Sequence, residues 1–103
     1  MNEKAKAKWA KLDGVKISGF ELRSGQYSNG RGALMVVGKD GIPECKITVN
    51  MVDTKIRDDE FWVKMDKPEE WADRLEQLGL IEYAYERVGC GWLGSYATLW
   101  KLK

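Results

Sequence analysis

Histidine is absent from this 103-residue chain. That absence excludes a Ser-His-Asp triad, a Cys-His dyad, a histidine general base and every zinc site built on imidazole. Cysteine is scarce: Cys45 and Cys90 are the only two, and no C-x-x-C pattern joins them. Two thiols are too few for a disulfide framework or a four-cysteine zinc site, and free thiols are expected rather than a bridge. No apolar run approaches the roughly 18 residues that a membrane span needs. Net charge is also nearly missing, since 17 basic and 16 acidic residues leave +1. Binding driven by a uniformly basic chain is disfavoured, although a local patch stays open.

What is present is the balance of a folded globular protein, 44% hydrophobic and 32% charged. Residues 1–11 carry four lysines and one glutamate. They are expected to form a charged tail or a short helix, marginal by itself, with Trp9 pinning its end. A single α+β domain is expected over residues 12–103. No apolar stretch follows the charged start, so no secretion signal is expected and the cytoplasm is the expected location.

Strand patterns begin at Val15. Val15 and Ile17, then Phe20 and Leu22 on the other parity, suggest a strand interrupted near Gly19. Asn29-Gly30 is a strong hairpin signal because both residue types tolerate positive φ. Ala33–Val37 is apolar throughout and reads as a central strand. After a turn at Lys39–Pro43, Cys45, Ile47, Val49 and Met51 share one parity, giving a strand with one packed face. Phe61, Val63 and Met65 share a face of the next. Asp66-Lys67-Pro68-Glu69 reads as a helix start, with Asp66 as N-cap and Glu69 completing a capping box. Trp71, Leu75 and Leu78 then fall at i, i+4 and i+7, an apolar stripe expected to bury against Ile47, Val49 and Met51. Gly79 ends the helix. Ile81–Val88 and Ser95–Leu102 read as two strands joined by a glycine-rich connection. The expected architecture is α+β: a largely antiparallel sheet of five or six strands with one helix packed on a face.

The order of these motifs carries a resemblance. An Asn29-Gly30-Arg31 turn precedes an apolar strand, followed by Asp40-Gly41-Ile42-Pro43 and Ile47-Thr48-Val49-Asn50. A helix ends Leu78-Gly79-Leu80-Ile81, and a glycine-containing strand pair runs to the C-terminus. This resembles a family of small proteins of unknown function found in gut bacteria, their mobile elements and their phages, over roughly residues 15–102. The resemblance implies no activity and transfers no functional residue. The lysine-rich start and the tryptophan count depart from the family pattern.

Five tryptophans and four tyrosines are many for a core of this size. Trp71 belongs to the helix stripe. Tyr83 with Tyr85, and Tyr96 with Trp100, share faces of the last two strands; they form either the core face or an exposed aromatic platform. Trp62, opposite in parity to Phe61 and Val63, is a second exposed candidate. Acids concentrate between Asp53 and Glu76, nine against five bases. Those on the helix are either a solvated face or a surface for a basic partner. Lys4, Lys6, Lys8, Lys11, Lys16, Arg23 and Arg31, with Trp9 and Tyr27 among them, could touch a phosphate backbone. Asp58-Asp59-Glu60 and the thiol of Cys90 give little basis for metal binding or nucleophilic catalysis.

These features point to a non-catalytic protein-binding module, such as a phage or mobile-element factor that inhibits a host protein. Trp62, Glu70, Asp73, Glu76, Tyr85, Tyr96 and Trp100 are the expected contact residues, with no cofactor and no metal. The alternative is a nucleic-acid-binding domain that uses the basic N-terminal segment and sheet aromatics.

Overall fold

The computed structural model describes residues 1–91 and 93–103; Trp92, in the glycine-rich connection, lies outside the described residues. The chain runs α1 (Glu3–Leu12), β1 (Lys16–Ile17), β2 (Phe20–Gln26), β3 (Gly32–Val37), β4 (Pro43–Lys46), β5 (Thr48–Val49), β6 (Glu60–Lys64), α2 (Lys67–Gln77), β7 (Ile81–Gly89) and β8 (Tyr96–Leu102). Among the described residues the strands form two antiparallel four-stranded sheets, ordered β1-β2-β3-β4 and β5-β6-β8-β7. The class is α+β as expected, but one sheet of five or six strands with a single helix is not what forms. There are two sheets, and both helices pack on them.

The difference arises at Ile47. Up to Lys46 the chain pairs with β3, Met35 opposite Lys46 and Val36 opposite Cys45. From Thr48 it pairs with β6, Thr48 opposite Val63 and Val49 opposite Trp62. Leu34 holds the crossing point: its carbonyl accepts from Ile47 N at 2.9 Å, and its N–H donates to Thr48 Oγ1 at 3.1 Å. A hydroxyl thus takes the place of the next backbone rung. The single packed face expected for Cys45, Ile47, Val49 and Met51 is therefore divided. Cys45 and Ile47 point into the core between the sheets, whereas Val49 and Met51 pack with Trp62 on the far side of the second sheet.

The main core takes Leu22, Leu34 and Val36 from the first sheet and Phe61, Val63, Ile81 and Trp100 from the second. Two helices close it. In α1, Ala5, Trp9 and Leu12 form an i, i+4, i+7 buried stripe, and Asn2 Oδ1 caps the helix by accepting from Ala5 N at 2.8 Å. Trp9 packs on Phe61 with ring centroids 5.5 Å apart, and its Nε1 donates to Asp58 O at 2.9 Å. The indole occupies the space a side chain at position 32 would need: a Cβ on Gly32 would stand 2.2 Å from it. At the other end of β2, Trp71 of α2 meets Phe20 edge-on at 5.2 Å. Among the described residues no helix is long and apolar enough to cross a membrane.

Two details of α2 differ from the sequence expectation. Asp66, at φ +73, makes no side-chain cap bond, and its carbonyl accepts from Glu70 N. The helix also ends at Gln77, so Leu78 falls at the C-cap and is 56% exposed. Leu80, just past Gly79, packs on the core there instead.

Leu75 is fully buried, so Leu75→Ala is expected to lower unfolding free energy by about 2–5 kcal/mol. Leu78→Ala should stay within about 0.5 kcal/mol of wild type. Urea melts of the two variants check this packing. Both cysteines are free; Cys45 is buried, and that burial pushes its thiol pKa up, whereas Cys90 is only half-buried. Thiol labelling of native protein at mildly alkaline pH is expected to modify Cys90 first.

Candidate binding surface

Strand β7 lies at the edge of the second sheet with β8 as its neighbour. Their pairing runs from Ile81↔Leu102 to Tyr83↔Trp100, breaks, and resumes at Arg87↔Thr98. Ala84, Tyr85 and Glu86 thus face Leu99 alone, a bulge that interrupts the edge strand's ladder. At its centre Tyr85 adopts φ +60, a left-handed conformation that costs an aromatic residue roughly 1–3 kcal/mol. The result is a ring that is 85% exposed yet supported from below. Its centroid lies 4.7 Å from that of Tyr83, and Tyr83 lies 5.1 Å from buried Trp100. Three rings therefore lead from the core to solvent.

Helix α2 is tied to this hairpin by acids. Glu69 Oε1 accepts from Tyr96 OH at 3.3 Å and Oε2 from Thr98 Oγ1 at 3.2 Å. Thr98 Oγ1 in turn accepts from Trp100 Nε1 at 2.9 Å. Seven residues along the helix, Glu76 Oε2 accepts from Tyr83 N at 3.0 Å. Asp73 stands between them, so Glu69, Asp73 and Glu76 form one stripe at i, i+4 and i+7. Partial burial, and then the charges of Glu69, Glu76 and Glu70, raise the Asp73 carboxyl pKa above its usual value. The Glu69 charge, ahead of burial and the hydrogen bond, raises the Tyr96 hydroxyl. Among the described residues none of these four helix acids forms a salt bridge. The nearby cations lie on rings: Arg74 is 4.3 Å from the Trp71 ring centroid and Arg87 is 4.1 Å from that of Tyr96.

Of the expected contact residues, Tyr85 is exposed, Tyr96 is half-buried, and Glu70, Asp73 and Glu76 lie on the solvent side of α2. Trp62 and Trp100 must be corrected. Each is about 95% buried, at 5% and 3% exposure. Trp100 faces the inter-sheet core, and Trp62 lies beneath the 50–57 loop, where its Nε1 donates to Thr54 Oγ1 at 2.7 Å. The parity that separated Trp62 from Phe61 was real, but the far face of this sheet is itself covered. Glu69 and Tyr83 complete the surface; the sequence offers them as a helix-face acid and as a member of the aromatic pair with Tyr85, but not among the expected contact residues. The i, i+4, i+7 spacing of Glu69, Asp73 and Glu76 was the available signal that ties Glu69 to the other two acids.

The basic elements do not form one surface. Trp9 is buried, Lys6 bridges Glu3 at 3.8 Å and Lys8 bridges Asp59 at 3.4 Å. Arg31 donates to the carbonyls of Met51, at 2.7 Å, and Thr54, fastening the loop over Trp62. No protein-family model, no curated protein and no solved structure matches the chain.

The raised pKa of Asp73 fixes the sign of a pH effect. A carboxyl whose folded pKa is raised adds stability below its ordinary value of 3.8 and loses that contribution as pH climbs through the raised value. Asp73→Asn is therefore expected to be more stable than wild type at neutral pH. The gain should vanish in acid, where Asp73 is protonated. Paired urea melts at neutral and acid pH read the difference.

Proposed function

We propose that the protein is a small, non-catalytic protein-binding module that docks a basic protein surface against Tyr85 and the acidic stripe of α2. The observation that carries this reading is Tyr85, held in a strained conformation with its ring in solvent and backed by Tyr83 and Trp100. Backbone strain of this kind persists where the surrounding structure enforces it, and it concentrates at functional sites. A ring already fixed by its neighbours loses little conformational entropy when a partner covers it, which favours a hot spot. The helix acids, which form no salt bridge among the described residues, add a field of one sign that steers a basic partner and suppresses an acidic one. The resemblance to proteins of mobile elements and phages supports extending the proposal to a factor that inhibits a host protein.

Affinity capture from host lysate with nuclease treatment, followed by binding kinetics on the captured partner, tests the reading. Tyr85→Gly removes the ring and relieves the positive φ, so folding stability should stay within about 1 kcal/mol of wild type. Dissociation should nevertheless accelerate by about tenfold or more, a loss above about 1.4 kcal/mol. Changing Glu70, Asp73 and Glu76 to their amides should slow association and flatten its salt dependence. Unchanged kinetics in both variants, or capture that disappears with nuclease, rejects the proposal.

A further inference from the structure

We infer that the outer face of the first sheet is a second binding surface and that its occupant is single-stranded nucleic acid. The cross-strand register supplies the geometry. Leu22, Leu34, Val36 and Cys45 point into the core, so Arg23, Met35 and Lys46, paired in a row across β2, β3 and β4, point outward. The next row is Gly25 opposite Ala33. Nothing lies within 4 Å of where a Cβ on Gly25 would stand. The hairpin end of this face is thus a bare apolar floor, and a shallow cavity of about 260 Å³ sits on it. Tyr27 closes one end. Its hydroxyl is fixed on Thr48 Oγ1 at 2.9 Å, and Lys46 Nζ lies 5.0 Å from its ring centroid. At the other end Arg23 is shared with a larger cavity of about 610 Å³, lined also by Lys16, Phe20 and Lys39.

Charge decides the class of occupant. Four cations, Lys16, Arg23, Lys39 and Lys46, border the two cavities. Lys16 and Arg23 share a single carboxylate, that of Glu21. Lys39 and Lys46 form no salt bridge among the described residues. Asp40, the other acid lining the track, accepts from Ile42 N at 3.1 Å and stays in its own turn. The track therefore carries excess positive charge at its rim and small apolar surface at its floor. A polyanion satisfies the rim. Flat rings satisfy the floor, with Tyr27 and Met35 beside them, and only unpaired bases present such rings. A duplex keeps its bases stacked inside and gains nothing from the floor. Lys16, Arg23 and Tyr27 belong to the basic and aromatic series visible in the sequence; Trp9 and Arg31 leave it because the fold uses them internally.

This surface shares no residue with the Tyr85 face, so the two proposals stand or fall separately. The test is fluorescence anisotropy with a labelled oligothymidylate, the corresponding duplex, and heparin as a plain polyanion, across a salt series. Single strands should bind more tightly than duplex, with a log–log salt slope of about −2 to −3 for three or four phosphate contacts. Lys46→Gln should weaken binding and make that slope shallower by about 0.7. Ala33→Gln, which raises the floor without changing charge, should weaken binding at unchanged slope. Arg23→Gln serves as a second charge variant if Lys46→Gln melts early, and Tyr85→Gly should bind the oligonucleotide like wild type. No binding at low salt overturns the proposal. So does equal affinity for duplex or heparin, and so does binding that survives these substitutions yet falls when Lys4, Lys8 and Lys11 are neutralised.

Discussion

The crossing at Ile47 and Thr48 is the constraint on which both sheets depend. Thr48 is 3% exposed, and its Oγ1 accepts from Leu34 N while meeting the hydroxyl of Tyr27. Leaving Leu34 N unpaired in the core would cost about 1–3 kcal/mol, so the hydroxyl is a requirement of the fold rather than an ornament. The same atom does two other things. It lets the chain leave β3 and begin pairing with β6 immediately after Ile47, and it fixes the Tyr27 ring at the edge of the first sheet's outer face. Val→Thr-type isosterism fails here in reverse: a valine at position 48 keeps the shape but orphans a buried donor.

The sequence was informative wherever local chemistry decided the outcome. The α2 stripe at Trp71 and Leu75, the stop at Gly79 and the β7–β8 hairpin follow from periodicity and breakers. The break at Ile47 was not legible, because period-2 alternation continues unbroken through it; only the choice of pairing partner changes. That choice is made by tertiary packing, which a single strand's pattern does not encode. Trp62 was misplaced for a related reason. Its parity correctly put it on the far face of β6, but the Arg31 clamp that holds the 50–57 loop over it joins residues about twenty positions apart. Alternation puts Tyr85 on the same face as Tyr83 and leaves that face either core or exposed; the bulge that turns Tyr85 out to solvent had no sequence signal.

Helix α2 shows how a charged face can be structural and available at once. Glu69 and Glu76 look like solvated acids in the sequence, yet each accepts hydrogen bonds from the β7–β8 hairpin. Those bonds hold like charges close to Asp73, whose ionisation is opposed first by partial burial and then by these charges. The helix therefore holds like charges together against the β7–β8 hairpin, in which Tyr85 stores backbone strain. Both kinds of strain are carried by a core with no polar side-chain atom left buried and unpaired among the described residues. Strain of about 1–3 kcal/mol is tolerable for a domain whose packing is otherwise satisfied, and a partner of opposite charge would relieve the electrostatic part.

The tryptophans explain why composition was a poor guide to the surface. Trp9, Trp62, Trp71 and Trp100 are all buried. Two of them also fasten a separate piece of chain through the indole N–H, Trp9 to Asp58 O and Trp62 to Thr54 Oγ1, while Trp100 donates to Thr98 Oγ1 on its own strand. Indole suits this double duty because it combines large apolar area with one directional donor. A domain of two four-stranded sheets has short strands and long connections, and each such residue both fills the core and ties a connection or a strand to it. The aromatic excess is thus mostly the way a small two-sheet domain stays packed. What sets Tyr85 apart from the structural aromatics is conformation. Tyr85 has a left-handed backbone and a solvent-facing ring, whereas the four indoles face inward.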